Sequence, residues 1–172
     1  LCCEYDCLAV TDEIYEHIIY DGQPHISIGS FPEMRNRTIT VSGLSKTYSM
    51  TGWRLGYVVA PEHLTAAIRK VHDFLTVGAP HPLQEAGAVA LRLGDEYYQQ
   101  LVDQYDERRK LFLRLLIDAG FRCYSPQGAY YIMTEISDFG FEDDTQFAHW
   151  LVEEIGVGGV PAGAEVVGAG AV

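Results

Sequence analysis

Three short apolar runs in the first sixty residues restrict the fold more than any other feature of the chain. Leu8-Ala-Val-Thr11 ends at Asp12, Thr38-Ile-Thr-Val41 is β-branched throughout, and Leu55-Gly-Tyr-Val-Val-Ala60 stops at Pro61. Runs this short, bounded by turn formers such as Asp21-Gly22, Pro24 and Phe31-Pro32, read as buried strands of a parallel sheet. From Pro61 the period lengthens. Leu64, Ala67, Ile68, Val71 and Leu75 recur at three- and four-residue steps, as on one face of a helix. Pro80-His-Pro82 interrupts that helix, and Pro82 suits the first turn of a second one carrying Leu83 to Leu93. Asp95 is placed to cap a third, which runs to about Ala119 and can close at Gly120. Further strands are expected over residues 128–133 and 156–160, with an amphipathic helix over 144–154 between them. The pattern is that of an α/β chain, with a composition break near Gly94 as the expected boundary between residues 1–94 and 95–172. Residues 162–172 lose all periodicity and form a degenerate Gly/Ala/Val tail.

The connection between the second and third runs reads Ser42-Gly-Leu-Ser-Lys46-Thr-Tyr-Ser-Met-Thr-Gly-Trp-Arg54. Ligands of open α/β sheets collect at such strand ends. A lysine amine can bond a carbonyl, while nearby hydroxyls and a guanidinium can hold a phosphate. Taken alone, Lys46 is as well explained as a solvated surface charge, and Arg54 as half of a surface ion pair. Asp12-Glu-Ile-Tyr15 closes the first run. Its carboxylate and phenol can serve a pyridine nitrogen and a ring hydroxyl. They can equally be a helix N-cap and a packed tyrosine.

The run from Ser42 to Tyr57 resembles the pyridoxal-phosphate lysine segment of the class I/II aminotransferases, within the fold type I superfamily. The likeness covers roughly residues 4–161. It implies an α/β fold in which residues 1–94 are the C-terminal part of the large cofactor-binding domain, a mainly parallel sheet with helices. Residues 95–172 would be the small domain, a long linking helix followed by an α/β unit. It also implies that Lys46 is the catalytic residue that forms a Schiff base with pyridoxal 5'-phosphate. Asp12 would pair with the ring nitrogen, Tyr15 with the ring hydroxyl, and Arg54 with the phosphate. Ser45 and Ser42 are the hydroxyl candidates for that phosphate. Ser45 is preferred, because relatives carry the serine three residues before the lysine, where this chain has Gly43. Glu13 and Glu16 receive no role and are expected at the surface. Tyr48, Trp53 and Tyr57 are expected to pack around the site, and His81 to lie in a loop. Pro80-His-Pro-Leu-Gln84 echoes a dimer-contact segment of the family, and Pro126-Gln-Gly-Ala-Tyr-Tyr131 matches a segment of its small domain, read as strand and turn.

The activity so implied is transamination between an amino acid and a 2-oxo acid by a cytoplasmic homodimer. Met50-Thr-Gly-Trp-Arg54 is worded more like aminotransferases than like the lyases or cyclopropane-forming synthases that share the lysine and aspartate. A non-catalytic remnant of the fold is the third reading. The chain reads as an interior fragment lacking the N-terminal portion. No N-P-x-G precedes Asp12, no arginine follows Arg122, and the expected P-G-S-x-F is replaced by Pro161-Ala-Gly-Ala-Glu165. Little activity is expected of it alone.

Other classes find no support. The net charge of −12 is concentrated in residues 95–172, which carry 14 acidic and 5 basic groups, arguing against nucleic acid. The apolar runs are too short to span a bilayer. Cys2, Cys3, Cys7 and Cys123 form no C-x-x-C pair, no H-E-x-x-H occurs, and no metal is expected. Reduced thiols are the expectation.

Overall fold

The computed structural model describes residues 1–163. Its first three strands are β1 (Ala9–Asp12), β2 (Thr38–Gly43) and β3 (Gly56–Val59), joined in one sheet in that order. β1 and β2 run parallel, with Ala9 opposite Thr38 and Asp12 opposite Val41. β3 returns antiparallel to β2, with Ser42 opposite Tyr57 and Gly43 opposite Gly56. Two glycines face each other there because the strands close in. A Cβ on Gly56 would lie 3.0 Å from the Ser42 carbonyl oxygen, and one on Gly43 3.2 Å from the Gly56 Cα. The expectation of fully buried strands is not met. Alternate residues point to opposite faces, and Val10, Val41 and Val58 on one face are exposed among the described residues.

Three helices follow: α1 (Glu62–Leu75), α2 (His81–Ala90) and α3 (Asp95–Asp118). α1 has the expected period, yet none of its residues is buried, and Phe74 is 94% exposed. His81 opens α2 rather than lying in a loop, with Pro80 just outside and Pro82 in the first turn. Pro82 has no N–H to leave unpaired there. Asp95 falls inside the first turn of α3, so Gly94 precedes it; two acidic residues, Asp95 and Glu96, meet the positive end of the helix dipole. Gly120, at φ +93°, closes α3. Its N–H bonds the Ile117 carbonyl and the Phe121 N–H bonds that of Leu116, the pairing of a Schellman motif. No helix among the described residues is long and apolar enough to cross a membrane.

The chain divides into two compact units. The first holds residues 1–109 and the returning segment Gln127–Tyr130, so the composition break near Gly94 lies inside it. Its core is Ile18, Tyr20 and Leu101, with Tyr15 and Tyr105 packed against them. The returning segment is tied in by an antiparallel bridge between Ile19 and Gly128. Around it, Tyr20 N–H donates to the Gln127 carbonyl and Ala129 N–H to that of Ile18.

The second unit holds residues 110–126 and the chain from Tyr131 on. β4 (Arg122–Tyr124) and β5 (Met133–Glu135) pair antiparallel. α4 (Asp144–Trp150) continues as a π-helical turn, Leu151–Ile155. Asp143 caps α4 by accepting the N–H groups of Thr145 and Gln146 at 2.6 and 3.2 Å. Phe121, Phe139, Phe141, Phe147 and Trp150 pack ring against ring beneath it. Two expected strands are absent. Over 128–133 the left-handed Ala129, φ +62°, breaks the extended run, and only Met133 enters β5. Over 156–160 the left-handed Gly156 and two further glycines leave an irregular segment. Most of the expected degenerate tail, from residue 164 on, lies outside the described residues.

Candidate active site

Lys46 stands in the β2–β3 connection, and that connection is held from three sides. Leu44 N–H donates to the Leu55 carbonyl at 3.1 Å, and the Leu44 carbonyl in turn accepts the N–H groups of Tyr48 and Met50. Leu44 and Leu55 are both buried, and Gly87 of α2 packs against them. From the start of α3, Tyr97 donates its hydroxyl to the Thr47 carbonyl at 2.7 Å, while the Tyr98 and Tyr48 hydroxyls lie 2.8 Å apart. Burial and the Tyr98 bond push the Tyr48 phenol well above its ordinary range, so it stays protonated. Tyr48 is thus the packing residue expected. Trp53, at 43% exposed, is not.

The Lys46 amine donates to the Tyr130 hydroxyl at 2.8 Å and lies 5.3 Å from the ring centre. Tyr15 meets the Tyr130 ring edge-on, with centroids 5.2 Å apart, and hydrogen-bonds to it as well. Tyr105 stacks on it at 6.0 Å. The bonds from Lys46 and then Tyr15 hold the Tyr130 phenol below its usual value, against the opposing effect of burial. Ser45, Lys46, Ser49, Thr51, Tyr105 and Tyr130 line a cleft of about 290 Å³. Lys46, Ser45 and, through Tyr130, Tyr15 are therefore brought together. Tyr130 is the site residue that sequence reasoning missed, because its segment has the make-up of a strand.

The other expected residues stand apart from that cleft. Asp12 is exposed at the end of β1, where its carboxylate accepts the Ile14 N–H at 3.1 Å. Arg54 is exposed in a left-handed conformation, φ +53°, and donates to the Thr51 carbonyl of its own turn at 3.2 Å. Ser42 also lies off the cleft. It is buried and donates to Glu16 Oε1 at 3.0 Å, because strand alternation turns it to the face opposite Val41 and Asp12.

Glu13 is a correction, since it is buried rather than at the surface, while Glu16 is half-buried. Glu13, 8% exposed, accepts the hydroxyls of Thr11 and Ser27 at 2.9 and 2.8 Å, and His25 Nε2 lies 2.8 Å from its other oxygen. Burial works to raise this carboxyl, but the bonds from His25, Ser27 and Thr11 outweigh it and leave the group below its ordinary range. Glu16 accepts from both Ser42 and Tyr57, the latter at 2.9 Å, so Tyr57 belongs to this polar network. The ligand-capable atoms of Glu13, Glu16 and His25 lie within 4.8 Å of one another. Glu13 and Glu16 are already hydrogen-bonded within the network, and His25 pairs with Glu13.

Chemically, the first cleft offers one amine, three aliphatic hydroxyls and two phenols, with Arg54 three residues beyond Thr51. That donor set fits an aldehyde carrying a phosphate ester: the amine suits the carbonyl, the hydroxyls and guanidinium the anion.

Known proteins agree with this reading. The family described as Aminotransferase class I and II matches residues 1–166. The methionine aminotransferase of Escherichia coli (strain K12) is 38% identical over 157 residues, covering 91% of this chain and 41% of that protein. Human kynurenine--oxoglutarate transaminase 1 is 34% identical over 179 residues, covering 94% and 42%. The solved structure of N-succinyldiaminopimelate aminotransferase from Mycobacterium tuberculosis superposes with a TM-score of 0.86 at 30% identity, covering 91% of this chain and 41% of that one. The chain thus spans about two fifths of the length of the curated relatives it matches. With the lysine turn, the sheet that carries it and these likenesses in agreement, the chain belongs to the class I and II aminotransferase family and has the fold type I architecture.

Proposed function

We propose that this chain carries the cofactor-binding lysine segment of a pyridoxal-phosphate-dependent aminotransferase, which moves an amino group between an amino acid and a 2-oxo acid. The observation that supports it best is the Lys46 amine, held in a hydroxyl-lined cleft and paired with the phenol that also meets Tyr15. Lys46 would hold the aldehyde, Asp12 the ring nitrogen and Tyr15 the ring hydroxyl. Ser45 and Arg54 would hold the phosphate, with Ser42, hydrogen-bonded to Glu16, the second hydroxyl candidate. When bound, the group supplies an electron sink for the charge left on the substrate's Cα as its proton departs. Asp12 contributes by keeping the ring nitrogen protonated, and Lys46, when free, can carry a proton.

The same reading assigns residues 1–94 to the larger domain and 95–172 to the smaller, and places the working enzyme in the cytoplasm as a homodimer. The 172-residue chain alone should turn over poorly, since no arginine follows Arg122 to grip a substrate carboxylate. Borohydride reduction with added pyridoxal phosphate, followed by peptide mapping, tests the site. The label is expected on Lys46 and lost in Lys46→Ala. A label confined to Lys70 or Lys110 would refute the assignment. In a protein that includes the whole family length, lyase products from an amino acid, without a new amino acid from an added 2-oxo acid, would refute the reaction class.

A further inference from the structure

We infer that Cys2 and Cys7 form a thiol–disulfide site that closes the turn leading into β1, with a small disulfide of the glutathione kind as the oxidant. In the first step the Cys7 thiolate attacks one sulfur of that reagent, whose S–S bond breaks as one small thiol leaves. The Cys2 thiolate then attacks the Cys7 sulfur of the mixed disulfide and releases the second small thiol. Two cysteine thiols are oxidised to one disulfide and one small disulfide is reduced to two thiols. The two protons given up by the cysteines end on the released thiols.

The backbone brings the pair together. Residues 2–6 form a turn in which the Tyr5 N–H donates to the Leu1 carbonyl at 2.9 Å. Asp6, left-handed at φ +49°, ends it, and the Cys7 N–H donates back to the Cys2 carbonyl at 2.9 Å. That is the six-to-one bond of a Schellman motif, and the residues at its two ends commonly meet side chain to side chain. The Cys7 Cα lies one covalent bond from the donor nitrogen, and the Cys2 Cα two from the acceptor oxygen. The two Cα atoms are therefore at most about 6.8 Å apart. Disulfides join Cα atoms separated by roughly 4.4–6.8 Å.

Arg37 holds that geometry in place. One nitrogen of its guanidinium stands 3.2 Å from the Cys2 carbonyl, 3.0 Å from the Cys7 carbonyl and 3.2 Å from the Asp6 carboxylate. Arg37 immediately precedes β2 and its own carbonyl accepts the Ala9 N–H, so the clamp is anchored where the pairing of β1 with β2 begins. Cys7 is exposed and open to a reagent in solution, while Cys2 is half-buried behind it. The neighbouring thiol is directed elsewhere: Cys3 Sγ donates to a Glu33 carboxylate oxygen at 3.9 Å. Cys123 belongs to the second unit.

Equilibration of the folded chain in buffers of graded reduced-to-oxidised glutathione ratio tests the site. Free thiols are then blocked with iodoacetamide and the peptides mapped by mass spectrometry. The expected product is a Cys2–Cys7 link, two hydrogen masses lighter than the dithiol, with Cys3 and Cys123 alkylated. Cleavage after Glu4 separates Cys7 from Cys2 and Cys3, so fragmentation of the joined peptides assigns the partner in the unsubstituted chain. Cys2→Ser should abolish the link and Cys3→Ser should keep it. Because folding has already closed the loop between the two cysteines, the equilibrium constant for the link should be about tenfold higher in the folded chain than in concentrated urea. Two cysteines that serve only as small packed side chains would give no such difference. Equal constants in the two conditions, a link through Cys3, or glutathione adducts that never resolve into a link would each overturn the inference.

Discussion

Replacing Tyr20 by Phe removes one oxygen from the best-buried aromatic of the first unit and nothing else. Tyr20 is 1% exposed, and its hydroxyl donates to the Ala129 carbonyl at 2.6 Å. Its ring packs with Ile18 and Leu101 under the Arg109 guanidinium, 4.4 Å from the ring centre. Phe keeps the ring, the packing and the cation–π contact. What is lost is the bond, and with it the donor to a carbonyl on a residue that is itself 8% exposed. Leaving a buried acceptor unpaired costs about 1–3 kcal/mol, more than the net worth of an average hydrogen bond. With a urea slope of about 2 kcal/mol per molar, the unfolding midpoint should fall by about 0.5–1.5 M with the slope unchanged. Burial raises the Tyr20 phenol, so the hydroxyl stays protonated and the loss should be the same at pH 6 and pH 8. Tryptophan fluorescence and far-ultraviolet circular dichroism should agree on it. A midpoint shift under about 0.2 M would refute the idea that this bond pins the returning segment.

Two further outcomes follow from the packing and the charges. Gly87→Ala should lower Tm. Alanine gains about 1 kcal/mol of helix propensity, but its Cβ would lie 2.7 Å from Leu55 Cδ2 and 3.1 Å from Leu44 Cδ2, and repacking two buried leucines costs about 1–3 kcal/mol. A higher Tm would show that the leucines yield freely. Glu13, held below its ordinary range of about 4.5, stabilises the folded chain at neutral pH. That contribution is present above the unfolded-state value and is lost as pH falls through the lower, folded one. Glu13→Gln should therefore be less stable than the parent at pH 7, with the gap closing as pH drops below 4.5; a gap that stays constant to pH 3 would contradict it.

Much of the first unit is legible because its chemistry is local. The β-branched runs become β1 to β3, and Lys46 falls between two of them as expected. Pro82 and Gly120 act where their backbone limits require. What stays hidden depends on contacts distant in the chain. Tyr130 reaches Lys46 across 84 positions because Ala129 turns left-handed, and an alanine gives no warning of that. Glu13 looks like a surface acid until strand alternation is applied, which turns Thr11 and Ser42 away from Asp12 and Val41. Periodicity in α1 describes a face but not what covers it.

Tyr97 and Tyr98 grip the lysine turn from the opening turn of α3, next to Gly94. Helix ends fray before their middles do. The amine's orientation is therefore tied to the part of a long rod that melts first. Amide protons around Thr47 should exchange with solvent in step with those at the head of α3, giving the lysine turn a built-in looseness on the timescale of end-opening.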